Sequence, residues 1–141
     1  MRTIFYVIML LAGLLCINAQ HGTFYDQSAS LFDALPLDST NIVFLGNSLT
    51  NGCEWHELFG NAKIVNRGIS GDIATGVSDR LDRVVKGKPA KIFLMIGVND
   101  VSHHISADSI ATDITAIVDR IVTETPGTKL YICLLYTSPS P

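Results

Sequence analysis

Four short, mostly apolar runs recur along the chain. They are Ile42 to Leu45, Lys63 to Asn66, Ile92 to Ile96 and Leu130 to Leu135. Runs of this length are typical of parallel strands whose two faces are both buried. The sequence therefore predicts at least four strands of one sheet.

Between these runs, apolar residues recur at the spacing of one face of a helix. The apolar stripes are Trp55, Leu58 and Phe59, then Ile73, Val77, Leu81 and Val84, then Ile110, Ile114, Ile117, Val118, Ile121 and Val122. The second helix is predicted to begin at an Asp72 cap, with Asp79, Arg80, Asp82 and Arg83 on a solvated face. Alternating strands and helices predict an α/β fold with a parallel sheet and helices on both faces. Residues 21–41 are expected to form an irregular leader against this sheet.

Residues 1–19 have the pattern of a cleavable secretory signal, with Arg2 before an apolar run that ends near Ala19. The run is too short for a membrane anchor, so a secreted or periplasmic protein without a stable anchor is predicted. The net charge of −3 and the absence of a basic cluster argue against nucleic acid as a partner. Cys53 and Cys133 would remain after cleavage, and they indicate neither a zinc site nor a disulfide framework.

Polar turns follow the first three predicted strands. They are Gly46 to Gly52, Asn66 to Asp72 and Gly97 to Asp100. Carboxyl ends of parallel strands meet at one edge of a sheet, where open α/β sheets bind ligands. Ser48 in the first turn has the position of a nucleophile at a strand-to-helix bend, although a serine there could equally cap the helix.

The three turns, in this order and spacing, resemble the first three sequence blocks of the SGNH (GDSL-type) ester hydrolases. The resemblance extends from about Asn41 to Lys129, and within the family it is to the secreted bacterial, sialate O-acetylesterase-like branch. It implies a three-layer flavodoxin-like fold and a serine esterase that needs no cofactor or metal. By this resemblance Ser48 is the nucleophile, and the backbone N–H groups of Ser48 and Gly71 and the side-chain amide of Asn99 form the oxyanion hole.

Other polar residues of the three turns are expected to support this site. Asp72 and Asp100 are predicted to brace the loops by accepting backbone hydrogen bonds. Asn47 stands where the family more usually has aspartate, so it keeps an acceptor oxygen but lacks the charge. Arg67 could reach an acidic group of the substrate, such as a sialic acid carboxylate, with a surface salt bridge as the alternative.

The base that activates the serine is the part of the pattern that is missing. The family carries it in an Asp-x-x-His block near its carboxyl terminus, and no such block follows the fourth predicted strand. We therefore expect a signal peptide at 1–19, a partial hydrolase domain at 20–135 that is incomplete at its carboxyl end, and a non-native tail at 136–141. This chain is expected to be an inactive fragment. His103 and His104 are poor substitutes because no downstream aspartate would orient them.

The reaction predicted for the complete enzyme is removal of short acyl groups, with O-acetyl groups on carbohydrate as the expected substrate. Two alternatives remain open at this point: a lysophospholipase or thioesterase on the same fold, and a noncatalytic carbohydrate-binding module that has lost its base. Nucleotide binding by the Gly46 to Gly52 loop is disfavoured because that loop matches neither glycine-rich phosphate motif.

The signal gives a prediction that needs no knowledge of the activity. Protein exported from a bacterial host should begin at Gln20, since Ala19 is the last small residue of the cleavage site. Amino-terminal mass analysis of the exported protein measures this directly. A retained Met1, or a lipid on Cys16, would contradict it.

Overall fold

The computed structural model describes residues 23–133, which form one α/β unit around a four-stranded parallel sheet. The strands are β1 (Ile42–Gly46), β2 (Ile64–Gly68), β3 (Lys91–Met95) and β4 (Lys129–Ile132). Their order across the sheet is β2-β1-β3-β4, and every neighbouring pair is parallel. The predicted fold class is confirmed, and the four apolar runs correspond to the four strands within one or two residues where they can be compared. Residues 1–22 and 134–141, with the predicted signal and tail, lie outside the described residues.

The segment before the sheet is a helix, α1 (Thr23–Ala34), and not the irregular leader that the sequence predicted. Tyr25, Ala29 and Phe32 lie on its inner side, at i, i+4 and i+7. The Tyr25 hydroxyl donates to the Gly76 carbonyl at 2.9 Å, and Asp33 pairs with Arg83. This helix therefore packs on α4 (Ala74–Asp79) and α5 (Asp82–Val85), and its inner stripe gives a weak sequence signal because it contains only one small and two aromatic residues.

One face of the sheet holds the main core. Side chains of β1 and β3 on this face are fully buried against α4 (Ala74–Asp79), α5 (Asp82–Val85) and α7 (Ala107–Glu124). The central members of this core are Val43, Leu45, Val77, Leu81, Ile92, Leu94, Ile117 and Ile121. The apolar stripes predicted for the second and third helices thus face the core. The stripe of the second predicted helix, however, is divided between two short helices, α4 and α5. Val122 is an exception, since it is largely exposed.

Aromatic rings cover the opposite face. Phe44 of β1 stacks on Phe93 of β3 with ring centroids 4.9 Å apart, and Phe93 stacks on Tyr131 of β4 at 4.8 Å. Trp55, at the start of α3 (Trp55–Leu58), extends the row and lies 4.3 Å from Phe44. We call these four residues the aromatic row.

The stripe predicted beside Trp55 forms only in part. Phe59 is 58% exposed, but its ring stacks on that of Trp55 with centroids 6.4 Å apart, whereas Leu58 is 65% exposed. Among residues 23–133, no helix is long and apolar enough to cross a membrane.

Candidate active site

The first turn places a serine at the surface directly after a buried strand. Gly46 ends β1, and a side chain there would collide with the Met95 carbonyl of β3, so only glycine fits. Asn47 is fully buried, whereas Ser48 is exposed at the start of α2 (Ser48–Asn51). The first N–H groups of a helix have no partner within it. Accordingly, the Ser48 N–H donates to no other group of residues 23–133.

Asn47 caps this helix. Its Oδ1 accepts a hydrogen bond from the Leu49 N–H at 3.0 Å. Its Nδ2 is buried and has no hydrogen-bond partner among the described residues. A buried polar group without a partner costs about 1–3 kcal/mol. Replacing the usual aspartate thus preserves the cap but leaves an unsatisfied donor beside the nucleophile position.

The second turn presents another unused backbone donor. Gly71 has φ +82°, a left-handed conformation that glycine adopts without strain. Its N–H is not bonded to any other part of residues 23–133, and the residue is exposed. The Ile69 N–H donates to the Gly46 carbonyl at 3.0 Å, which joins the second turn to the first. Both unused donors are therefore on turns that contact each other.

Asn66 provides a second link between these turns. Its Nδ2 contacts three carbonyls around the end of α2, including that of Thr50 at 2.9 Å and that of Cys53 at 3.0 Å. Its Oδ1 accepts from the Gly68 N–H at 2.8 Å. Because one amide holds both segments, the end of the nucleophile helix is fixed relative to the second turn.

The third turn contributes a side-chain donor. Asn99, in α6 (Val98–Ser102), donates one N–H from Nδ2 to the Asp72 carbonyl at 2.8 Å. A side-chain amide has two N–H donors, so one remains for another acceptor. Asp100 is fully buried, and its carboxylate accepts the Ala74 N–H at 3.0 Å. It therefore caps α4, the role that the sequence assigned to Asp72.

Arg80 links the first two turns, and the prediction that it faces solvent is wrong. Its side chain is fully buried. Its Nε donates to Asp72 Oδ2 at 2.9 Å, Nη1 donates to the Arg67 carbonyl at 2.8 Å, and Nη2 donates to the Gly46 carbonyl at 3.0 Å. Sequence patterning missed Arg80 because two of its partners, Arg67 and Gly46, lie 13 and 34 residues away in the sequence.

Burial opposes both charges of the Arg80–Asp72 pair. It lowers the pKa of Arg80, while the nearby Asp72 carboxylate acts in the opposite direction. It also raises the pKa of Asp72, and the charge and hydrogen bond of Arg80 offset part of that rise. Asp72 further accepts the Ile73 N–H at 3.1 Å. Each charged group of the pair therefore depends on the other for its stability inside the protein.

Arg67 is not placed to meet a substrate. The side chain is 5% exposed, its guanidinium lies 4.8 Å from the centre of the Phe32 ring, and Nη2 donates to the Leu35 carbonyl at 2.7 Å. It forms no surface salt bridge either, because its partners are backbone carbonyls. Both sequence interpretations of Arg67 assumed an exposed residue, and the α1 segment covers it.

Asp100 and His103 do not form a catalytic pair. The histidine that lies close to carboxylates among the described residues is the exposed His56, 3.7 Å from Glu54 and 3.9 Å from Glu57. Asp100 and His103 have the Asp-x-x-His spacing. However, Asp100 points its carboxylate at Ala74 inside the protein, whereas His103 is exposed. In the part of the chain from 23 to 133, no group of three or more His, Cys, Asp or Glu side chains could hold a metal ion.

Fold and turns together define an α/β protein with three linked polar turns at one edge of a parallel sheet. The model of the GDSL-like lipase/acylhydrolase family matches residues 44–141. The chain belongs to this family.

Its relatives include human platelet-activating factor acetylhydrolase IB subunit alpha2, which is 32% identical over 98 residues. That match covers 65% of this chain and 42% of the human protein. The chain therefore spans about two-fifths of the length of the curated relatives it matches.

Two solved structures share the fold. One is a Streptococcus pneumoniae protein described as a candidate platelet activating factor, with 28% identity and a TM-score of 0.67 over 90% of this chain and 59% of that one. The other is a GDSL-like lipase from Bacteroides thetaiotaomicron, with 25% identity and a TM-score of 0.63 over 77% of this chain and 56% of that one.

The Arg80 network predicts a large and specific loss of stability. Arg80→Gln should lower the free energy of unfolding by about 3–5 kcal/mol, because it leaves the Asp72 carboxylate buried without its partner. Urea denaturation of the chain from residue 20 measures the loss. Arg83→Gln is the matched control: it removes an exposed ion pair with Asp33 and should cost far less. Equal losses for the two variants would show that Arg80 is no more important than a surface arginine.

Proposed function

We propose that the complete protein is a serine ester hydrolase that removes short acyl groups, with O-acetyl groups on carbohydrate as the substrate. The observation that carries the proposal is the arrangement of one exposed hydroxyl and three hydrogen-bond donors. The exposed Ser48 hydroxyl follows a buried strand, and the unused N–H groups of Ser48 and Gly71 and the free N–H of Asn99 lie on the three interlinked turns.

In this proposal the Ser48 Oγ attacks the carbonyl carbon of the ester and releases the alcohol, leaving an acyl-enzyme that water then hydrolyses. The carbonyl oxygen becomes negative in each tetrahedral intermediate. The three donors would stabilise that oxygen, and a single such donor typically contributes about 3–4 kcal/mol. Their positions are set by Asn66, Arg80 and Asp72 before any substrate binds.

A base must accept the proton of the serine hydroxyl. We propose that it is a histidine of an Asp-x-x-His block encoded beyond residue 141, so that the 141-residue chain alone does not turn over. This is supported by the length of the relatives, of which the chain spans 42%, and by the separation of the Asp100 carboxylate from the exposed His103. We also propose export through the residue 1–19 signal.

The narrower resemblance to sialate O-acetylesterases concerns an acidic sugar. Arg67 was the one side chain that the sequence offered for its carboxylate, and Arg67 is buried. The proposal is therefore restricted to short acyl esters of carbohydrate and leaves out a specific site for sialic acid.

A second candidate function is that of a lysophospholipase or thioesterase. One observation favours it: a cavity of about 330 Å³ lies against the aromatic row, and Thr50, two residues after Ser48, also lines it. Such a cavity could hold an acyl chain. Acyl-chain-length preference separates the two candidates, since the first requires that acetyl esters be cleaved faster than octanoyl esters.

The nucleophile assignment is tested by covalent labelling. A gene extended from the same source should give a protein that reacts with a fluorophosphonate and hydrolyses p-nitrophenyl acetate, and Ser48→Ala should abolish both because no other group can form the acyl-enzyme. Ser30→Ala, which removes an exposed serine of α1, is the control and should retain both.

Two outcomes would contradict these proposals. Undiminished labelling of the Ser48→Ala variant would exclude Ser48 as the nucleophile. Turnover by the 141-residue chain itself, lost on His103→Ala, would instead place the base within the printed sequence. An extended protein that is never labelled would leave a noncatalytic carbohydrate-binding module as the better description.

The oxyanion role of Asn99 predicts a specific kinetic change. In the extended enzyme, Asn99→Ala should lower kcat by on the order of 100-fold or more and change KM little, because the donated bond strengthens mainly in the transition state. Asn61→Ala, in the turn before β2, is the control. A variant that mainly raises KM would make Asn99 a substrate-binding residue instead.

A further inference from the structure

A cleft of about 580 Å³ opens beside Gly71, on the side away from the main core. Its walls come from three separate segments: Phe24 and Tyr25 of α1, the stretch from Ser70 to Asp79 around the second turn and α4, and His103 after α6. The family model begins at residue 44, after α1. One wall of the cleft is thus built by a segment outside the family match.

The α1 wall is held in place at several points. The Tyr25 hydroxyl donates to the Gly76 carbonyl at 2.9 Å. Asp33, further along α1, forms an ion pair with Arg83, and the Phe32 ring lies against the Arg67 guanidinium. These contacts place α1, and with it Phe24, at the rim of the cleft.

Phe24 is 50% exposed although it is a large apolar residue. It faces a cleft whose other side chains are mainly polar, with the hydroxyls of Ser70 and Thr75 and the carboxylate of Asp79. Ligand sites commonly combine an apolar surface with a few polar groups that fix orientation. A sugar ring matches both, since its C–H face packs on an aromatic ring while its hydroxyls bond to the polar side chains.

The charge of the cleft favours the binding of neutral sugars over acidic ones. Asp79 is exposed and forms no ion pair or side-chain hydrogen bond within residues 23–133. No lysine or arginine is among the residues that line the cleft. The nearby Arg80 is buried and already paired with Asp72. A carboxylate or phosphate entering the cleft would thus meet the like charge of Asp79, and the exposed His103 imidazole is the only basic side chain among the lining residues.

We propose that this cleft binds the neutral sugar that carries the acyl ester, with Phe24 as its stacking surface and Asp79 as the acceptor that also excludes anionic carriers. The inference deepens the proposed function and rests on it in one respect: Gly71, one of the three proposed oxyanion donors, lines the cleft, so a sugar bound there would lie beside that donor.

The test measures binding, so that it does not depend on turnover. The 141-residue chain, labelled with ¹⁵N, is titrated with methyl β-glucopyranoside and separately with methyl β-glucuronide, which differ by one carboxylate. The amide signals of Ser70 to Gly76 report binding in the cleft. The glucoside should bind at least fivefold more tightly than the glucuronide.

Two pairs of variants assign the roles. Phe24→Ala should weaken glucoside binding at least fivefold, whereas Leu31→Ala, an exposed apolar residue of the same helix outside the cleft, should not. Asp79→Asn should bring glucuronide affinity to within twofold of that of the glucoside, whereas Asp119→Asn, an exposed residue of α7 that makes the same change in net charge, should not.

The outcomes are distinct from those of the labelling experiment. No shift with either sugar, equal affinity of the wild-type chain for both, or an unaffected Phe24→Ala variant would each overturn the cleft proposal. Sugar binding in a protein whose Ser48 is never labelled would support the cleft and remove the esterase proposal. Labelling of Ser48 without sugar binding would support the esterase proposal and overturn the cleft proposal.

Discussion

The buried guanidinium of Arg80 joins the first two turns, and the Asn99 amide joins the third turn to them through the Asp72 carbonyl. The guanidinium contacts the carbonyl that ends β1, a carbonyl of β2 and the carboxylate of Asp72. Backbone carbonyls at the ends of adjacent strands diverge where the chain leaves the sheet, and they need donors there. One planar group with five N–H donors meets several of these needs at once, which a lysine could not do.

The sequence was sufficient for the sheet and for the positions of the three turns. Both are local properties, since a continuous apolar run predicts a buried strand and a Gly-Asn-Ser sequence predicts a bend. It was not sufficient for Arg80, whose burial depends on partners 13 and 34 residues away. For the same reason the sequence predicted Arg67 to be a surface residue, since local periodicity does not show that α1 covers it. Charged residues are placed by tertiary contacts, and periodicity contains little information about those.

The two faces of the sheet follow different packing rules. Aliphatic side chains interlock with helices on one face, whereas on the other Phe44, Phe93 and Tyr131 stack on one another across adjacent strands. In a parallel sheet at matching register, equivalent positions on neighbouring strands lie side by side, so Phe44 is opposite Phe93 and Phe93 is opposite Tyr131. Stacking therefore follows from register, and such pairs stabilise a sheet by up to about 1 kcal/mol each.

The attachment of α1 has a consequence for how the protein fluctuates. This helix contributes no strand to the sheet, and its fixed contacts are a hydrogen bond 51 residues distant in sequence, an exposed ion pair and the stacking of Phe32. Segments held by so few contacts open at a lower free energy than the core, as separate cooperative units. Detachment of α1 would uncover Arg67 and remove one wall of the cleft while β1 to β4 stayed paired. Loss of that wall would therefore remove Phe24 from the cleft without unfolding the sheet.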